Sequence, residues 1–495
     1  MLALFFASLL MSSPVFSQEL RDKTPRPDSV SGQASAVSAD LFSSPEKLIK
    51  EKFGNAVWSA SVIDCDSGKT IFSESPDRNM IPASTLKILV TAAALDRFGP
   101  DYRIKTSLYL HKGVLYIRGG GDPSIGSSYI KNARSMRQTF SLWLKAVKKL
   151  NIRKLKAVMA DETYFDPSLP GSWGWEDVGN YYAAPPSALS AGDNIYRVVF
   201  RPGKKNGEPA AVLRTEVQGY SSVEALPMRF INEVTTASPG TGDNVYIHGL
   251  PPMWNAILRG TVPAGVSEFK VKGAVPDPAL YVARSFSKYL KENKIKVLRP
   301  AGKAATPKKA VTVVVTEGSE MKDIISATNK QSFNLYAELL LRLLAAKDGR
   351  RADEYGGIAE VKKYLNGQGV DASELKITDA SGLSRLNLVK AQAMAGLLCS
   401  VEKKDYFMVY RESLAGPADS DAKGHIRTFG RGYFSPDTLR IKSGSVNGVR
   451  AYTGYLVTGK GTRTAFSFML NNYSCSPSGA DSFHEDLLKY ISERY

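Results

Sequence analysis

Ser84 and Lys87 open the stretch "IPASTLKILVTAAALDRFG", residues 81–99, three apart at the head of an apolar run. A serine hydroxyl is inert near neutral pH without a proton acceptor, and a lysine accepts a proton only as the neutral amine. Ile88, Leu89, Ala92, Ala93 and Leu95 cover most faces at helical spacing, which predicts a helix buried nearly all round. Ser84 suits an N-cap or first-turn position, and Lys87 follows one turn later on the same face, so both side chains reach one spot. Burial among apolar residues would push the lysine toward its neutral form. Spacing alone does not decide this, since Ser-x-x-Lys recurs at Ser44/Lys47, Ser285/Lys288, Ser319/Lys322, Ser373/Lys376 and Ser400/Lys403 in polar surroundings. The competing reading is a plain cap with a snorkelling lysine.

Other chemistries find little support. The histidines, His111, His248, His425 and His484, stand far apart and form no His-Glu-x-x-His, which argues against a zincin site, and no Gly-x-Ser-x-Gly elbow is present. The glycine cluster of "LYIRGGGDPSI" lacks the Gly-Lys-Ser/Thr of a phosphate loop. No metal and no cofactor is therefore expected, and a lysine is the base these residues offer. Cys65, Cys399 and Cys475 leave at least one thiol unpaired; a Cys399–Cys475 bond is one option that spacing cannot decide. The net charge of +17 reads as spread along the chain in short clusters such as "KKLNIRKLK". Attraction to an anionic envelope surface suits it better than nucleic acid, with an undirected solvated surface as the alternative.

The elements that must position Ser84 and Lys87 can be read in outline. With 495 residues, 43% hydrophobic and 23% charged, the chain has the composition of a soluble globular protein of two or three domains. Residues 1–17, "MLALFFASLLMSSPVFS", resemble a secretory signal without the usual leading lysine or arginine, so a periplasmic or otherwise extracytoplasmic protein is expected. Residues 18–43 read as a flexible leader rich in Ser, Ala, Asp and Pro. "VWSASVIDCDSGKTIFS" predicts a β-hairpin directly before the Ser84 helix, and "TSLYLHKGVLYIRGGGDPSI" a second one. Residues 105–317 read as β-rich inserted material. The last third supplies an apolar helix over 332–346, a pair of strands in "TLRIKSGSVNGVRAYTGYLVTGKGTRTAFSFMLNNY" and a closing helix. Strands and helices at both ends predict one mixed α+β domain in two parts, 45–104 and 318–495, separated by the insertion.

Three short motifs then fall in order: Ser84-x-x-Lys87 at a helix start, Ser332-Phe333-Asn334 at another, and Lys442-Ser443-Gly444 on a strand. With "YYAAPPSALS", "NKQSFNLYAELLLR", "DASGLSRLNLV" and "IKSGSVNGVRAYTGY", the chain resembles the D-alanyl-D-alanine carboxypeptidase/endopeptidases of the low-molecular-mass class C penicillin-binding proteins, the S13 peptidases. Two positions depart from that pattern: Phe333 stands where aspartate is usual, and Ser443 where threonine is usual.

The resemblance implies an α/β sandwich with a five-stranded antiparallel sheet, and an insertion that forms one or two extra domains. It implies that Ser84 attacks a D-alanine carbonyl with Lys87 as base, that Ser332 relays a proton to the leaving amine, and that Asn334 holds the substrate amide. Lys442 and Ser443 would bind the terminal carboxylate, with the N–H groups of Ser84 and Ser445 as oxyanion hole. Asp177 in "WGWEDVG" and Arg385 in "SGLSR" match positions near the substrate's side-chain amine and carboxylate in similar proteins; a surface ion pair is the alternative. Expected partners are peptidoglycan stem peptides and β-lactams, with at most peripheral envelope association and no nucleic acid. A β-lactamase and an inactive peptidoglycan-binding scaffold share the motifs and remain alternatives.

Overall fold

In the last third of the chain, runs of buried residues too long for a strand with one wet face dictate a sheet covered on both sides. Eight of the nine residues of Val449–Val457 are buried, and eight of nine in Arg463–Asn471. The computed structural model describes residues 45–218, 223, 224, 226–346, 351–422 and 424–495, so the signal-like start and the leader lie outside it. The sheet has five strands in the order Leu439–Val446, Val449–Val457, Arg463–Asn471, Val57–Asp64, Thr70–Glu74, each antiparallel to its neighbour. Where the sequence predicts a pair of strands after residue 438 there are three. Asn447-Gly448, with Gly448 at φ 70°, is a two-residue hairpin turn hidden inside what reads as one continuous segment.

Alternation sorts the side chains onto the two faces. Trp58, Ala60, Val62, Phe466, Phe468 and Leu470 join Phe483, Leu487 and Ile491 of the closing helix Pro477–Arg494 in one core. Ile63, Ala465 and Met469 turn the other way, into a core with Leu397 and Leu398 of the helix Ala391–Glu402. Behind it run the helices Lys87–Phe98 and Asn334–Ala345, buried without interruption over Lys87–Leu95 and Leu335–Leu344. Helices apolar all round belong at the centre of a fold, which is where both motif-bearing helices lie.

Between the two parts of this body, the chain builds a mixed five-stranded sheet in the order Gly302–Lys303, Ala157–Asp161, Val114–Arg118, Arg103–His111, Val311–Glu320. Phe140 and Trp143 of the helix Met136–Lys149 and Phe286 of the helix Pro278–Glu292 pack with Leu108, Leu115, Ile117 and Val158 of that sheet. Two four-stranded sheets follow, one around Ile195–Arg201 and one around Asn255–Pro263.

The one disulfide among the described residues joins Cys65 to Cys399, with Cα atoms 5.0 Å apart, and Cys475 is free. The Cys399–Cys475 option is thereby replaced. A disulfide needs Cα atoms within about 7 Å, and it is the end of the first strand that meets the Ala391–Glu402 helix. This bond spans 334 positions of sequence and ties the end of the Val57–Asp64 strand to the Ala391–Glu402 helix. Cys65→Ala should cost about 2–5 kcal/mol of stability. Thermal denaturation should show the same loss on reduction of the wild type, while Cys475→Ser leaves the midpoint unchanged; equal sensitivity of both variants would contradict this.

Candidate active site

Ser84 does not start a regular helix. Residues Ala83–Leu86 form a 3-10 turn with no side-chain cap, and the α-helix begins at Lys87. Thr85 supplies the local closure, donating its N–H (3.3 Å) and its hydroxyl (2.7 Å) to the carbonyl of Pro82. Ala83 sits at φ 47°, left-handed backbone that a residue with a Cβ adopts only when its surroundings enforce it. Here they do. A Cβ on Gly382 would collide with the carbonyl of Ala83, and one on Gly444 would lie 3.0 Å from the nitrogen of Ser84. The loop 379–385 and the strand Leu439–Val446 therefore clamp the Ser84 turn from two sides, and each needs a glycine to come so close.

Inside this clamp lies Lys87, fully buried. Its Nζ is 2.8 Å from Ser84 Oγ, 2.7 Å from Asn334 Oδ1 and 2.6 Å from the carbonyl oxygen of Ser381. Asn334 donates its Nδ2 to the carbonyl of Tyr182 at 2.8 Å, which fixes the amide with its oxygen toward the lysine. A neutral amine that gives its two protons to Ser381 and Asn334 has its lone pair left for the Ser84 hydroxyl. That is the arrangement a general base requires.

A second lysine closes the other side. Lys442, 1% exposed, donates to Ser332 Oγ at 2.9 Å and to the carbonyl of Ser443 at 2.7 Å. Ser332, like Ala83, has positive φ, at 56°. Ser443 and Ser445 are half-buried on the same edge strand of the sheet. Phe333 packs into an aromatic nest, its ring 4.8 Å from that of Tyr129 and 4.5 Å from that of Tyr336.

All three motifs thus converge, and the chain matches the model of the D-Ala-D-Ala carboxypeptidase 3 (S13) family over residues 45–487. The chain belongs to the S13 family. With that membership it is a serine-type peptidase, a hydrolase. It is 26% identical over 491 residues to the D-alanyl-D-alanine carboxypeptidase of Actinomadura sp. strain R39, covering 94% of this chain and 87% of the relative. To the D-alanyl-D-alanine carboxypeptidase DacB of Haemophilus influenzae it is 24% identical over 436 residues, covering 84% and 85%. In fold it resembles the crystal structure of penicillin binding protein 4 from Haemophilus influenzae, with a TM-score of 0.74 at 20% identity, over 90% of this chain and 98% of the other.

Within the S13 chain, Asp177 and Arg385 lie close enough for the guanidinium to act on the carboxyl. Burial and the adjacent Glu176 push the Asp177 carboxyl up to about 6, against the opposing pull of the Tyr182 hydroxyl and Arg385. Arg385 is exposed, and its guanidinium donates to the carbonyl of Asn447 in the hairpin after Ser445. Tyr182 is thus a shared support that sequence reasoning passed over: its carbonyl orients Asn334 and its hydroxyl bonds Asp177.

Glu338 is the other residue the motifs do not announce. Fully buried one turn after Asn334, it accepts the N–H groups of Ala380 (3.0 Å) and Ser381 (2.9 Å) on one oxygen and faces Arg342 at 3.4 Å with the other. Burial and Asp379 push its pKa up to about 7. Asp379 binds the far side of the same loop through the N–H groups of Gly382 and Ser384, each at 2.8 Å. A glutamate four residues after the asparagine, in a run that should be wholly apolar, was the available signal. Because the carbonyl of Ser381 touches Lys87, Glu338 is a positioning residue. Glu338→Ala should slow acylation by fluorescent penicillin about tenfold or more, whereas Glu338→Gln, which retains an acceptor for both N–H groups, should slow it only a few-fold. Equal loss in both, in step with melting temperature, would reduce Glu338 to a purely structural role.

Proposed function

We propose that this protein is an extracytoplasmic D-Ala-D-Ala carboxypeptidase, with endopeptidase activity on cross-linked stem peptides, that works through an acyl-enzyme on Ser84. The observation that carries this reading is the contact of Ser84 Oγ with a buried lysine whose other hydrogen-bonding directions are occupied by Asn334 and Ser381. Lys87 takes the Ser84 proton as Oγ attacks the carbonyl carbon of the penultimate D-alanine. Negative charge develops on the carbonyl oxygen and is met by the N–H groups of Ser84 and Ser445, a contribution of about 3 kcal/mol per donor. When the C–N bond breaks, the proton that Lys87 took passes through Ser332, which Lys442 holds at 2.9 Å, to the leaving D-alanine amine, and Lys87 is neutral again. Lys442 and Ser443 bind the terminal carboxylate, and water then releases the acyl group with Lys87 again as base. Asn334 supports both the lysine and the substrate amide.

The departures from the family pattern are compatible with activity. Phe333 faces Tyr129 and Tyr336, and Ser443 retains a hydroxyl. Purified protein should be labelled by fluorescent penicillin and Ser84→Ala should not. Mass spectrometry of muropeptides should show loss of D-alanine and opening of cross-links. An acyl-enzyme lasting minutes fits this reading, sub-second turnover fits a β-lactamase, and sacculus binding without acylation fits a scaffold.

Asp177 and Arg385 are proposed to hold the amine and carboxylate of a diamino-acid side chain in the stem peptide. Asp177→Ala should lower kcat/KM on diaminopimelate-containing peptides about tenfold or more while penicillin acylation changes little. The raised carboxyl pKa gives a pH test: Asp177 is anionic above about 6 and neutral below. Selectivity for amine-bearing peptides over neutral analogues should therefore fall as pH drops through that value, and should be flat with pH in Asp177→Ala. Persistence of the pH dependence in the variant would remove Asp177 from the recognition role.

A further inference from the structure

The lysines and arginines that look scattered along the sequence are gathered by the topology of the inserted five-stranded sheet. Segments 145–156 and 288–309 carry fourteen lysines and arginines against one acidic residue, Glu292; of the fourteen, Lys303 lies farther along the sheet in ion pairs with Glu162 and Asp277. Both segments arrive at one end of that sheet. The strands starting at Val114, Ala157 and Gly302 run parallel, with Val114 beside Ala157 and Gly302 beside Met159, so the segments that lead into them meet there. Lys296 pairs with Lys154 in a short parallel bridge, and the N–H of Arg299 reaches the carbonyl of Lys156 at 2.9 Å. The antiparallel strand Val311–Glu320 begins opposite Leu110, which brings Lys308 and Lys309 to the same end. The helices Met136–Lys149 and Pro278–Glu292 also finish there, with Lys148, Lys149 and Lys291 in their last turns.

Three apolar side chains stand exposed among these charges: Leu150 is 51% exposed, Leu298 49% and Val311 68%. At the opposite end of the sheet, Arg103 pairs with Glu320 and the carbonyl of Tyr102 accepts from Met321, close to the end of the Lys87–Phe98 helix. A nine-residue strand rises about 3.4 Å per residue, so the cationic end lies some 30 Å beyond that junction and points away from the catalytic body.

We propose that this end of the inserted sheet is a docking surface for an anionic phospholipid leaflet. A dense cationic surface is drawn to the negative potential of such a leaflet, each basic residue near the surface strengthening binding about fivefold, and exposed leucines enter the headgroup boundary. A polyanion without an apolar layer uses the charge but leaves the leucines idle. The composition also argues against nucleic acid: only Arg153 and Arg299 of the fourteen are arginines, and the exposed apolar side chains Leu150, Leu298 and Val311 are aliphatic and do not stack on a base. Docked by this end, the chain would hold its catalytic cleft away from the lipid. The surface shares no residue with the cleft, so it stands or falls separately from the peptidase reading.

Co-sedimentation of the full chain with phosphatidylglycerol/phosphatidylcholine vesicles, against pure phosphatidylcholine, tests it. Wild type should bind the anionic vesicles and be released by salt. Lys154→Glu/Lys296→Glu/Lys308→Glu should lower the partition coefficient about a hundredfold or more, and Leu150→Ser/Leu298→Ser about tenfold, most visibly at high salt, where the apolar contribution remains. Fluorescent-penicillin labelling should be unchanged in both and reports folding. Should the reversed triple lose labelling, Lys149→Gln/Lys294→Gln/Lys309→Gln takes its place with the same expectation. No preference of wild type for anionic vesicles at low salt, or a partition the lysine variants leave unchanged, overturns the proposal. A leucine pair that binds vesicles like wild type, with DNA bound as tightly as lipid, overturns it in favour of a soluble polyanion.

Discussion

The contact on which the site depends is the one between a buried amine and three oxygens drawn from three distant parts of the chain. Lys87 reaches Ser84 on its own turn, Asn334 on the second apolar helix and the carbonyl of Ser381 on the following loop. A lysine taken out of water needs hydrogen-bond partners, and each partner here is itself fixed by another group. Asn334 is held by the carbonyl of Tyr182, and Ser381 by the carboxylate of Glu338. The close packing of both buried helices contributes rigidity, because a side chain in a close-packed core has nowhere else to put its amine.

That dependence explains why the insertion is part of the site. Tyr182 and Asp177 belong to inserted sequence, yet one orients Asn334 and the other lies close to Arg385. Trp173, also inserted, donates its indole N–H to Asp379 at 2.8 Å and so braces the loop that bears Ser381. Tyr336, two residues after Asn334, bonds the buried Asp193 of the insertion, and Phe333 packs against the inserted Tyr129. An aromatic residue in the middle of the second motif is at home here, because inserted rings cover that position.

The sequence made the chemistry legible and the supports only partly so. Ser84, Lys87, Ser332, Asn334 and Lys442 stand at short, ordered spacings, and the structure brings all five together. The mixed α+β class and the five-stranded antiparallel sheet were also readable, the first from strands and helices at both ends and the second through the family resemblance. What spacing could not show is whatever depends on one loop resting on another. The 3-10 turn at Ala83–Leu86 exists because Gly382 and Gly444 press on it, and local propensity knows nothing of either. Glu338 acts through the N–H groups of Ala380 and Ser381, and Tyr182 through its own carbonyl, so neither leaves a motif. The pairing of Cys65 with Cys399 followed from which helix covers the first strand, a tertiary fact.

Charge shows the same limit most clearly. Along the sequence "KKLNIRKLK" is a short basic cluster, with a second lysine-rich stretch more than a hundred residues later, so the net +17 looks diffuse. Parallel strands change this. Their starts lie together by construction, so every connection that enters such a sheet delivers its last residues to one end, however far apart those residues are in the chain. Here three such connections and the ends of two helices are rich in lysine. Like charges this close repel one another and lower the stability of the free molecule. They can persist because the helices and strands behind them are anchored by Trp143, Phe140 and Phe286, which keeps the cost of the charged end out of the core that holds Lys87.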